Sequence, residues 1–157
     1  MFRHPTIRQS LKFVFASLIA LTALTAQAAI DPERFTGSFD LKKDPRGLCD
    51  WQVRGFIFGT EDSHINVSLG GHFFPRVNEG RIPVDNELEV GYSQSYTTGN
   101  SLVFKRVIKD KINGERITRT ATATLSNSDR TLTLHSVSSD FPDLPRRCIY
   151  SRRAELE

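Results

Sequence analysis

The sequence predicts an all-β fold, a single antiparallel up-and-down barrel of about eight or nine strands. Beyond residue 28 the chain is a succession of short runs in which apolar and polar residues alternate, with no sustained helical period. Turn-forming residues separate the runs: Asp44-Pro45-Arg46-Gly47, Gly70-Gly71 and Asn113-Gly114. Cys49 and Cys148, the only cysteines, fall near the second run and in the last, where a disulfide would tie the two ends of a sheet together. A β-sandwich is the alternative packing of the same strands.

The first 28 residues stand apart from this pattern. Arg3, Arg8 and Lys12 make a basic start without acids, and Phe13 to Leu24 is an uncharged apolar run. That run is shorter than the roughly 20 residues a membrane helix needs. Ala26-Gln27-Ala28 places small residues where a signal peptidase reads them. The expectation is a signal peptide over 1–28, cleaved after Ala28, and one barrel-like domain over 29–157 in the periplasm or outside the cell. No later segment is long and apolar enough to span a membrane.

Removing those three bases leaves 21 − 3 = 18 basic against 18 acidic residues. A chain so balanced offers no electrostatic reason to meet nucleic acid. Residues 29–98 hold 11 acids and 7 bases, and residues 99–157 hold 7 acids and 11 bases. Strand pairing between the halves is the expected compensation.

Taken in order, Phe35, Gly37, Phe39 and Leu41 share one face of a first strand, and Cys49, Trp51, Val53, Gly55 and Ile57 one face of a second. Ile65, Val67 and Leu69 form a third, turned by Gly70-Gly71 into His72-Phe73-Phe74. Pro75, Gly80 and Pro83 make 75–86 a predicted loop. Leu88, Val90 and Tyr92 resume the alternation, with Tyr96 on the same parity. Leu102–Ile112 and Glu115–Leu125 form a long hairpin about Asn113-Gly114, a pair suited to a type I′ turn. Leu132 and Leu134, then Cys148-Ile149-Tyr150, complete the set. In an oxidising compartment a disulfide closing a loop of this length adds about 4–5 kcal/mol.

Arg34-Phe35-Thr36-Gly37-Ser38-Phe39-Asp40-Leu41 resembles the first-strand signature of the lipocalin-like (calycin) barrels, in which a Gly-x-Trp sits near the start. Phe39 stands here in the tryptophan's place. The resemblance implies a barrel that holds a ligand.

Candidate chemistry is sparse, and no catalytic residue is assigned. His64, His72 and His135 lack the spacing of a zinc motif and read as surface histidines on strands, so no metal site is expected. Glu87 and Glu89 flank Leu88 as the wet side of a strand rather than as a glycosidase pair. Thr118, Thr120, Thr122 and Thr124 form a same-face row that β-propensity explains. The aromatic load points to binding. Trp51, Phe56, Phe58, Tyr92 and Phe104 are the candidate lining of an apolar pocket, and Arg54 and Arg106 are candidate anchors for an anionic head group. The expectation is a monomeric, non-enzymatic barrel without cofactor that binds a small apolar or amphipathic ligand. A protein-binding module of the cell envelope, such as an inhibitor of a secreted hydrolase, is the second reading. It rests on the charge polarity and on the Phe73–Arg81 loop.

Overall fold

A strand leaves backbone donors and acceptors unpaired on both sides, so alternating runs this short are stable only side by side. The computed structural model describes residues 30–154 except 62–63 and 127; the expected signal peptide lies outside the described residues. Among those residues the strands are β1 (Gly37–Lys43), β2 (Gln52–Glu61), β3 (His64–Leu69), β4 (His72–Val77), β5 (Gly80–Asp85), β6 (Glu89–Thr98), β7 (Ser101–Asp110), β8 (Arg116–Leu125), β9 (Thr131–Ser138) and β10 (Arg146–Arg152). They form one antiparallel sheet in the order β4-β3-β2-β1-β10-β9-β8-β7-β6-β5. The sheet is nearly closed into a barrel. Between its two edges, β4 and β5, Asn78 is fastened to β6: its N–H donates to the Ser95 carbonyl at 2.8 Å. The Asn78 Oδ1 in turn accepts from the Thr97 N–H at 2.9 Å.

The chain runs up and down, so the β1–β2, β3–β4, β5–β6, β7–β8 and β9–β10 connections gather at one end. A 3-10 helix, Pro32–Phe35, lies at the other. Asp31 caps it by accepting from the Glu33 N–H at 2.9 Å, and Pro32 suits its first turn. Phe35 is fully buried beneath the barrel wall. Gly55 makes room for it: a Cβ there would lie 1.8 Å from the Phe35 carbonyl oxygen.

Four local expectations differ from the structure. Residues 75–86 are the end of β4 and all of β5 rather than a loop, which brings the strand count to ten. Both strands are sheet edges, where proline's missing N–H costs no ladder bond. Phe35 belongs to the 3-10 helix, not to β1. Cys49 and Trp51 lie in the β1–β2 connection, where the Asp44 carboxylate accepts from the Arg46 and Cys49 N–H groups and so shapes a longer loop. Those bonds, the one from Cys49 first, hold the Asp44 carboxyl below its usual range. The β7–β8 turn is not the two-residue type I′ form, because only Gly114 there has positive φ, at 74°. Asp110 accepts from the Ile112 and Asn113 N–H groups and widens it. Phe104 consequently lies opposite Ala121. A two-residue turn would have placed Ala123 there, a shift that leaves every side chain on its face. Gly70-Gly71 does form the tight turn, with φ of 51° and 77°.

The registers stack the interior in rows. Leu125, Leu132 and Tyr150 form one row; Leu102, Ala123, Leu134 and Cys148 the next. With Phe39, Val53, Val67, Leu69 and Phe74 they make the core, which sits toward the helix-closed end. Burial pushes the Tyr150 phenol up to about 12. Cys49 and Cys148 are joined in a disulfide with Cα atoms 5.8 Å apart. That bond is compatible with an extracellular location. No helix among the described residues is long and apolar enough to cross a membrane.

Candidate ligand pocket

Toward the other end the rows change character. Ser95, Phe104, Ala121, Ser136 and Arg146 form the third, and Ser93, Arg106, Arg119 and Ser138 the fourth. Large apolar side chains give way here to small and polar ones, so the barrel is not filled. A cavity of about 480 Å³ remains and opens at the end opposite the 3-10 helix. Phe104 helps to floor it, in edge contact with Phe74 across the barrel at 6.4 Å between ring centroids. Leu48 from the β1–β2 connection and Phe141 and Leu144 from the β9–β10 connection line its mouth. The size and largely apolar lining with a few polar groups suit a small organic ligand.

Three basic side chains reach the cavity. Arg119 donates to Asp140 at 2.9 Å, and Ser138 Oγ also donates to that carboxylate. The Ser138 bond first, then Arg119, holds the Asp140 carboxyl below its usual range. Arg146 lines the cavity without a hydrogen bond or ion pair among the described residues. His72 is half-buried in the wall. Burial lowers its pKa below 6.5, the nearby Arg146 charge adds to this, and Asp50 opposes it. Surface placement, expected for the histidines, thus holds for exposed His135 but not for His72. The described residues contain no cluster of three or more metal-ligating side chains.

The seven residues named from sequence scatter over the barrel. Phe104 lines the cavity. Arg106 faces the same interior, where its guanidinium pairs with Glu89. Tyr92 lies on the outer face beneath the Arg81 guanidinium, 4.5 Å from ring centroid to carbon. Arg54, Phe56 and Phe58 share the outer face of β2 and are exposed, and Trp51 is exposed at the end of the β1–β2 connection. Strand parity separates Phe56 and Phe58 from Val53 and Ile57, but both faces of that segment are apolar, and sequence alone does not say which is covered. His72, Arg119, Arg146 and Ala121 were missed. The signal for Ala121 and Arg119 was their parity in β8; His72 and Arg146 carried none.

No family model matches the chain, and no curated protein is similar to it.

Proposed function

We propose that this is an exported barrel that binds a small apolar or amphipathic ligand in the cavity at its open end, without catalysing a reaction. The observation that carries this reading is the change from filled to unfilled rows inside one continuous sheet, which leaves about 480 Å³ floored by Phe104, with a mouth lined by Leu48, Phe141 and Leu144. The resemblance of residues 34–41 to lipocalin-like barrels supports it. Export, with cleavage after Ala28 into a periplasm or the medium, is supported by the leader's composition and by the disulfide. The test is native mass spectrometry of protein recovered from an oxidising compartment, beside Ala121→Leu, which fills the cavity from its wall. A small-molecule adduct that disappears on denaturation and is missing from the variant supports the proposal. An adduct held equally by both proteins, or an empty wild type that also fails to take up a fluorescent apolar probe, overturns it.

One observation favours the second reading, a protein-binding module. Phe56, Phe58 and Phe73 cluster on the outer wall, with ring centroids 6.3 and 6.4 Å apart, and each is about half exposed. A contiguous aromatic patch of this kind marks interaction surfaces. Replacing all three with serine would abolish capture of a protein partner while leaving ligand uptake intact.

A further inference from the structure

Exposed apolar side chains are unremarkable when scattered and informative when collected. Away from the outer wall, this barrel collects them at one end. Leu48 and Trp51 stand on the β1–β2 connection, Leu88 on β5–β6, Ile112 on β7–β8, and Phe141 and Leu144 on β9–β10. Exposure is 73% for Trp51, 79% for Ile112, and 58% or 59% for Leu88, Phe141 and Leu144. The opposite end is different. Its described turns carry Asn78 and Glu79, Gly99 and Asn100, and Ser128, Asp129 and Arg130, with no large exposed hydrophobic residue among them.

Two of the apolar tips, Leu88 and Ile112, are held in place by polar side chains beneath them. Asn86 Oδ1 accepts from the Leu88 and Glu89 N–H groups, each at 2.9 Å, and Asp110 does the same under Ile112. Leu88 and Ile112 are therefore presented outward on ordered turns, and the two turns are joined by the bond from the Lys111 N–H to the Leu88 carbonyl at 2.8 Å. The tips come from four connections at the open end, and Leu48, Phe141 and Leu144 among them line the mouth of the cavity. A protein seated across them would block that mouth, whereas a fluid apolar layer accepts each tip separately and leaves the mouth facing it.

Charge narrows the choice of layer. The four connections carry Arg46 and Lys111 against Asp44, Asp50, Glu87, Glu115, Asp140 and Asp143. An excess of acid gives no attraction to an anionic bilayer. We propose that the open end docks on a neutral, zwitterionic lipid surface, with Trp51, Leu88, Ile112, Phe141 and Leu144 inserted at the interface and the cavity mouth turned toward it. Tryptophan suits that position, since its ring is apolar and its N–H polar. Docking of this kind depends on apolar burial and is insensitive to salt.

Trp51 is the chain's only tryptophan, so its fluorescence reports on this end alone. On titration with phosphatidylcholine vesicles its emission shifts to the blue and is quenched by lipids brominated in the acyl chain. Added salt leaves the partition unchanged. Substituting Leu88, Ile112 and Phe141 together with serine lowers it by at least about tenfold. A control with serine at Phe56, Phe58 and Phe73 partitions like the wild type, and unchanged near-ultraviolet circular dichroism shows that each variant is folded. The proposal is overturned if Trp51 stays in water while protein sediments with vesicles, which would assign binding to the N-terminal leader. Loss in the wall variant equal to that in the tip variant overturns it. So does binding that needs anionic lipid and collapses in salt, or no binding at all. None of these outcomes bears on whether the cavity holds a ligand.

Discussion

At the closed end Arg152 reaches across from β10, and its guanidinium donates to the backbone carbonyls of Arg34, Thr36 and Asp129. The same guanidinium lies 4.6 Å from the centroid of the Phe39 ring. Arg34 pairs with Asp129, and the Ile30 N–H donates to the Gly99 carbonyl, so the 3-10 helix is fastened to two neighbouring turns. At the open end β10 is held to the β1–β2 connection by a covalent bond, Cys49–Cys148, and the space between the walls is left unfilled. One end is closed by packing and satisfied polar groups; the other is fastened at its rim, by the disulfide and by bonds such as the one Arg46 donates to the Asp143 carbonyl, without being filled. That difference lets one small sheet carry both a core and a cavity. Ligand sites belong at the less densely packed end, where local opening costs least.

Removing the disulfide should have the largest effect. The bond spans 99 residues, and replacing Cys49 and Cys148 together with serine is expected to lower stability by about 4–5 kcal/mol, read from urea unfolding midpoints. Hydrogen exchange would then accelerate first in the β1–β2 and β9–β10 connections. Equal acceleration at both ends would show that the two are not separately held. Gly55→Ala tests the closed end: its Cβ has no room beside the Phe35 carbonyl, so the helix must shift, at a cost of about 3 kcal/mol. Arg152→Met keeps much of the side-chain volume over Phe39 but abandons three carbonyls, and is expected to cost about 2 kcal/mol. Both closed-end variants should leave the partition to lipid unchanged.

The contrast between the ends was only partly legible in the sequence. Alternation in 37–43, 65–69 and 116–125 is clear because one face of each strand is the more buried; in β7 it is blurred, since Val103 and Val107 on the outer face are buried as well as Leu102 and Ile108 on the inner one. The Cys49–Cys148 pairing followed from there being two cysteines. The 75–86 segment was misread because Pro75 and Pro83 signal a loop unless the strand is known to be an edge, which only the sheet order reveals. The cavity was hidden for a similar reason. Arg119 and Arg146 are charged and partly solvent-exposed, so by residue type they read as solvated even though Arg119 shares the parity of Ala121. Their inward placement depends on where β8 to β10 sit in the barrel, and the gap they border depends on the size of the residues opposite. Three pairs join an acid of residues 29–98 to a base of residues 99–157, namely Arg106–Glu89, Lys111–Asp85 and Arg153–Asp40, while Arg34–Asp129 runs the other way.

The smallest effect expected is one of pH, and it too divides the molecule by region. His72 sits in the cavity wall, where burial and Arg146 hold its pKa below 6.5, while His135 is exposed on the outer face of β9. Above 6.5 the imidazole is neutral in both the folded and the unfolded chain, so His72 adds no pH dependence there. As pH falls below 6.5 the unfolded chain takes up a proton that the folded chain refuses, and stability declines until the folded pKa is passed. Asp40, Asp44 and Asp140 have pKa values lowered from 3.8, so their losses come at lower pH and do not overlap this window. Urea midpoints measured across about pH 5 to 8 should therefore slope downward toward acid in the wild type and in His135→Gln, and flatten in His72→Gln. If His135→Gln flattens the profile and His72→Gln does not, the imidazole in the wall is not the one that burial controls. The cavity is then more open to water than its lining indicates.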